Sequence, residues 1–198
     1  MRILRSADYR RMPWKNGGGE TREIAVWPTS ASLDALDWRI SLATVASDGA
    51  FSTFAGVTRT LCVIQGSGIQ LCVDDEPARQ LQTNSEPCTF DGEVPTRASL
   101  IAGPIVDLNV MTRRGRFRHR VARRTILGSR ELLTTASATL IFCQEGKLVC
   151  TAASGSEELQ TEDGVFIDDT RQAIRLHATR PAQALVIELY REPTASGR

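Results

Sequence analysis

Only two histidines, His119 and His177, occur among the 198 residues, and no His-x-His pair exists. One sits in an arginine-rich stretch and the other closes the late run "IRLHA", so a metal site built on clustered imidazoles has no ligand set here. A serine nucleophile has no well-placed general base either. No Asp/Glu cluster has the loop spacing of a Mg²⁺ or Ca²⁺ site. The chain also lacks a CxxC pair, the phosphate loop GxxxxGK[ST], and a GxGxxG opening a helix. No run approaches the roughly 18 apolar residues of a membrane span, and the start, "MRILRSADYRRMPWK", has no apolar core of a secretory signal. Net charge is scarce too. Lysine plus arginine (24) against aspartate plus glutamate (23) leaves +1, which gives no general pull toward nucleic acid or anionic lipid. These absences predict a protein with no metal, no cofactor and no membrane partner.

What is present is an ordinary globular composition, 41% hydrophobic and 24% charged. The five cysteines (Cys62, Cys72, Cys88, Cys143, Cys150) are odd in number and mostly flanked by aliphatics, which predicts reduced core thiols and a cytoplasmic location. Short alternating runs bounded by Gly, Pro, Asp and Asn recur: "WRISLATV", "TLCVIQGSGIQLCVD", "IVDLNVM", "ATLIFCQEGKLVCTA" and "QALVIELY". They predict an all-β sandwich or barrel, with one short helix candidate within 128–136. An internal echo supports duplication. Thr60-Leu61 is repeated at Thr139-Leu140, and Leu81-Gln82-Thr83 at Leu159-Gln160-Thr161. The expected organisation is a first half over 1–112, a basic connection over 113–131, and a second half over 132–198.

The segment "MPWKNGGGETREIAVWP" places Lys15 and Asn16 before three glycines and a strand-like run. Successive glycines serve backbone geometry, by positive φ or by close approach. The pattern "PWKNGGGETREIAVWP", followed by "DWRISLATVASDGAFSTFAGVTRTLCVIQGSGIQL" and "FDGEVPTRASLIAGPIVDLNVMTRRG", resembles the HutD/Ves family over about the first two thirds of the chain. That resemblance implies a cupin-type jelly roll with two barrel halves in one chain, a bicupin. It also implies a role alongside bacterial histidine utilisation, in sensing or binding a pathway intermediate, or in environmental stress.

Strand alternation selects a candidate site. In "ETREIAVWP" Thr21, Glu23 and Ala25 share one face, with Arg22, Ile24 and Val26 opposite. In "WRISLA" Arg39 and Ser41 oppose Trp38, Ile40 and Leu42; in "VDLNVM" Asp107, Asn109 and Met111 share a face; Arg59 opens "RTLCVI". Lys15, Asn16, Thr21, Glu23, Arg39, Ser41, Arg59, Asp107, Asn109 and Met111 together suit a small anion, because guanidinium forks grip a carboxylate at two points and amides read the rest. The competing reading is scaffold. Arg39 or Arg59 paired with Asp107 or Glu23 could be a structural ion pair, and Asn16 with the glycines a tight turn. Trp14, Trp27, Phe51 and Phe54 read as packing residues, and Lys147 as solvated.

Three functions follow in order. The first is a metal-independent binding protein for a small carboxylate, with a regulatory role. The second is a metal-free enzyme in which Lys15 or Glu23 acts as acid or base on a small acid. The third is an interaction module using the eight arginines from Arg113 to Arg130. A solvated linker, or an arm pairing with acidic patches, is favoured over nucleic acid for that segment, and exposed strand edges leave room for a homodimer.

Overall fold

Alternating β-branched and aliphatic residues, cut every few positions by turn formers, produce strands and almost nothing else. A computed structural model describes residues 1–14, 17–168 and 172–193. In chain order the strands are β1 (Arg2–Leu4), β2 (Arg10–Pro13), β3 (Gly19–Trp27), β4 (Trp38–Val45), β5 (Gly49–Ala50), β6 (Val57–Gln65), β7 (Ile69–Val73), β8 (Arg79–Leu81), β9 (Cys88–Asp91), β10 (Thr96–Leu100), β11 (Ile105–Arg113), β12 (Phe117–Thr134), β13 (Ala138–Glu145), β14 (Leu148–Ala152), β15 (Gly155–Leu159), β16 (Gly164–Ile167) and β17 (Gln172–Arg191). The chain divides into two compact units, Arg10–Phe117 and Met1–Tyr9 with Arg118–Arg198. No helix among the described residues is long and apolar enough to cross a membrane.

In the Arg10–Phe117 unit a six-stranded sheet ordered β2-β3-β4-β11-β6-β9 and a four-stranded sheet ordered β5-β10-β7-β8 enclose one core. That core takes alternate residues from both sheets: Ala43, Val45, Leu61, Val63 and Ile105 from the larger, Ile69, Leu71, Leu81 and Ala98 from the smaller. The other face of the large sheet carries Ile40, Leu42, Leu108 and Val110, each fully buried, so β4 and β11 are apolar on one side and mixed on the other.

The second unit is a seven-stranded sheet, β1-β16-β13-β17-β14-β15, with β12 also on β17. Its long strand β17 pairs with β14 near Leu176 and with β13 over Gln183–Leu189, so one strand serves both sides of the barrel. The sequence echo has a topological counterpart: β9-β6-β11 and β8-β7-β10 in one unit answer to β16-β13-β17 and β15-β14-β17 in the other.

Three sequence expectations are corrected. The first residues pair with the second half, not the first, since Arg2 lies opposite Phe166 in β1 and β16. The supposed connection and the helix candidate over 128–136 are largely strand β12, whose buried Ile126 joins the second core. Its arginines mask the alternation because their stems can lie along apolar surface while their charged heads stay in water. Finally, a bulge between Glu23 and Ala25 shifts β3, so that Val26 rather than Ala25 lies opposite Arg39.

Candidate functional site

The glycine motif makes the hairpin from β2 to β3. Trp14 N donates to Gly19 O at 2.9 Å, and Gly17 N to Trp14 O at 3.1 Å. Gly17 has φ +69°, which a side chain disfavours, while a Cβ on Gly19 would stand 2.0 Å from the Thr44 carbonyl oxygen. The glycines thus serve turn conformation and close strand approach. Trp14 Nε1 donates to Thr21 Oγ1 at 2.9 Å, which commits that hydroxyl to holding the hairpin. Lys15 and Asn16 lie outside the described residues.

The register of the large sheet brings the other candidates onto one face. Met111 lies between Arg39 on β4 and Arg59 on β6, and Asn109 lies between Ser41 and Leu61, with Glu23 beyond Ser41. Asp107 lies between Ala43 and Val63, with Thr21 beyond Ala43. These rows continue the inward face of the core, where Ala43, Leu61 and Val63 pack. Thr21, Glu23, Arg39, Ser41, Arg59, Asp107, Asn109 and Met111 are therefore gathered in one patch. Ala25, displaced by the bulge, is not among them.

The polar contacts are ordered. Arg39 Nε donates to Glu23 Oε2 at 2.7 Å. Arg59 Nε and Nη2 both donate to Asn109 Oδ1, at 2.8 and 2.5 Å, and Asn109 Nδ2 donates to Asp107 Oδ1. Asp107 Oδ2 is the one buried side-chain polar atom among the described residues without a hydrogen-bond partner. Arg59 is 6% exposed yet makes no ion pair among the described residues. Its guanidinium carbon lies 4.4 Å from the Phe51 ring centroid and 5.8 Å from that of Phe90, so two aromatic faces stabilise the cation.

Electrostatics sharpen this picture. Burial pushes the Asp107 carboxyl up to about 7, although the Arg59 charge and the Asn109 hydrogen bond favour its ionised form. Burial draws Arg59 down to about 10; Asp107 opposes that shift and the like charge of Arg39 adds to it. Arg59 stays protonated at neutral pH. Two guanidinium groups on strands either side of β11 therefore repel each other at a face where one has no carboxylate in direct contact.

Phe51 and Phe90 were not legible as site residues. Phe90 sits in β9 opposite Arg59, and only that register reveals its role. Phe51, expected in the core or at a barrel rim, stacks on the same guanidinium.

The equivalent inward rows of the second unit are Thr139 with Glu188, Ile141 with Val186, and Cys143 with Ala184. None of these six residues is an arginine, but Arg120 of β12 reaches Glu188 at 3.6 Å, and aliphatic side chains with two cysteines make up the adjoining core. The arginine-rich segment is occupied within each unit: Arg114 pairs with Asp91 at 3.0 Å and Glu93 at 2.5 Å, Arg116 with Asp37 at 3.0 Å, and Arg120 with Glu188 at 3.6 Å. Among the described residues no three His, Cys, Asp or Glu side chains group as a metal site.

Two jelly-roll units in one chain, one with a polar inward patch and one with a largely aliphatic core, make this a bicupin. Oxalate decarboxylase from Bacillus subtilis shares that fold at 10% identity, with a TM-score of 0.67 over 95% of this chain and 77% of that one. The chain belongs to the HutD family, whose model matches residues 6–186. It is 40% identical over 142 residues to the uncharacterized 21.2 kDa protein in the hutC 3' region of Pseudomonas putida, covering 72% of this chain and 73% of that protein. Among solved structures, the conserved protein PA5104 from Pseudomonas aeruginosa PAO1 superposes with a TM-score of 0.90 at 34% identity, covering 96% and 98% of the two chains. HutD from Pseudomonas fluorescens SBW25 superposes with a TM-score of 0.83 at 32% identity, covering 97% and 99%.

Proposed function

We propose that this HutD-family protein is a metal-independent receptor for a small carboxylate, held against Arg39 and Arg59 in the Arg10–Phe117 barrel. Its occupancy serves a sensing or regulatory role in bacterial histidine utilisation. The observation that carries this reading is Arg59: a buried, stacked guanidinium without an ion pair among the described residues, beside the like charge of Arg39. A buried cation normally needs a paired anion, and a bound carboxylate would supply it in two-point geometry. The purely structural alternative accounts for Arg39, which Glu23 neutralises at 2.7 Å, more fully than for Arg59, which reaches the Asp107 carboxyl only through Asn109. The pathway assignment is supported by the Pseudomonas relatives, one named for its place beside hutC and one named HutD.

A thermal-shift panel of carboxylates tests the binding reading, using acids of histidine breakdown beside unrelated acids. Formate is included because the Pseudomonas fluorescens structure is described as a formate condition. A selective, saturable shift is expected, equivalent to about 2.7 kcal/mol at a hundredfold excess over the dissociation constant. Absence of any selective shift in folded protein removes the reading.

A second reading has one observation in its favour. The Asp107 carboxyl, pushed up to about 7, has the acidity wanted of a general acid or base at neutral pH. Turnover of a small acid that Asp107→Asn abolishes would establish it, and recovery of that acid unchanged after prolonged incubation would remove it.

A further inference from the structure

We propose that the carboxylate site is proton-coupled: Asp107 takes up a proton when a ligand carboxylate engages Arg59, so that the site binds an anion and a proton together. This rests on the binding reading above and specifies how that site responds to pH.

Charge balance in a buried place drives the coupling. Asp107 is fully buried; one oxygen accepts from Asn109 and the other has no hydrogen-bond partner. Arg59 is the nearby cation that favours its ionised form. Asn109 stands between them and relays that interaction, accepting from Arg59 while donating to Asp107. A ligand carboxylate on Arg59 adds a second negative charge against the same cation, and two carboxylates sharing one compensating charge in a desolvated site cannot both stay ionised.

The neighbouring groups do not supply a substitute. On β4, Arg39 is already paired with Glu23 of β3. On β9, the Cys88 thiol is pushed up by burial and stays neutral. On β6 the neighbour of Asp107 is Val63, and on β4 it is Ala43. Asp107 is thus the group that gives way. Its carboxyl, already raised to about 7 in the free protein, rises further on binding. The sign follows: affinity strengthens as pH falls and weakens as pH rises above the free-protein value, by at most about tenfold per pH unit.

The experiment adds potassium formate to weakly buffered full-length protein containing a pH indicator, both adjusted to the same pH, and measures dissociation constants at pH 6, 7 and 8. Formate is fully ionised in this range. The expected result is net proton uptake of about half a proton per formate at pH 7, with affinity severalfold weaker at pH 8 than at pH 6. The Asp107→Asn variant is expected to bind formate without proton uptake and with an affinity that does not change over this range. Wild-type binding that is unchanged from pH 6 to 8 and releases or absorbs no protons overturns the coupling and leaves the binding reading standing. If neither formate nor any acid of the panel binds, the binding reading itself falls, and the coupling with it. The wild-type arm decides the question even if the variant does not fold.

Discussion

Arg59 donates through both Nε and Nη2 to a single oxygen, Asn109 Oδ1, at 2.8 and 2.5 Å. That arrangement fixes the guanidinium plane against Phe51 and Phe90 while leaving its charge without a carboxylate in contact among the described residues. Orientation is supplied by an amide, and the same amide carries the interaction on to the Asp107 carboxyl.

Replacing Arg59 by lysine tests whether the planar fork matters or only the charge. A compact ammonium cannot stack on both rings and present two parallel donors. The expected outcome is at least a tenfold loss of carboxylate affinity by calorimetric titration, with the circular dichroism of the folded protein unchanged. Full retention of affinity would show that the site reads charge alone.

The buried acid carries a stability signature of its own. With its native value near 7 against an ordinary 3.8, Asp107 holds more protons in the folded than in the unfolded chain between these limits. Its contribution is therefore most favourable below about pH 4 and is lost as pH rises toward 7, with a limiting slope of about 1.4 kcal/mol per pH unit. Asp107→Asn removes that dependence. Urea midpoints of variant and wild type are expected to shift in the variant's favour between pH 5 and pH 8. An equal difference at both pH values contradicts the assignment.

The glycine motif predicts unequal costs. Gly19→Ala drives a Cβ against the Thr44 carbonyl at 2.0 Å, a backbone contact that cannot swing aside, whereas Gly17→Ala meets only an unfavourable φ of +69°. The first is expected to cost more than about 2 kcal/mol and the second about 1 kcal/mol. Paired thermal melts of the two variants measure the order, and a reversal would mean that the turn, not the strand approach, is the tighter constraint.

The thiols separate by burial. Cys143 and Cys150 lie in the second core with values pushed up to about 12, and Cys62 and Cys88 are buried, while Cys72 is only half-buried. Iodoacetamide at pH 8 is expected to alkylate Cys72 first, as read by mass spectrometry of the native protein. Early alkylation of Cys143 or Cys150 would show that the second core opens.

Much of the fold was written in the alternation of β4 and β11, where Ile40, Leu42, Leu108 and Val110 on one face oppose Arg39, Ser41, Asp107 and Asn109 on the other. The β-duplication was legible because Thr-Leu recurs within β6 and β13, at Thr60-Leu61 and Thr139-Leu140, and because Leu-Gln-Thr recurs where β8 and β15 end. Strand β12 was not, since Arg118, Arg120, Arg123 and Arg124 obscure its period and Gly128 suggests a break. Nor was the bulge in β3, which no residue type between Glu23 and Ala25 announces. The site was legible as a set of polar positions on shared faces. Its wiring was not, because whether Asp107 pairs with Arg59 directly or through Asn109 depends on side-chain geometry between the two sheets, as does the stacking of Phe51 and Phe90.

The most direct test is calorimetric titration of wild-type protein and the Arg59→Gln variant with the carboxylates that shift the melting temperature. The account predicts saturable one-to-one binding by the wild type and at least a hundredfold weaker binding by a folded variant. Equal binding by both, or none by the wild type, would contradict it.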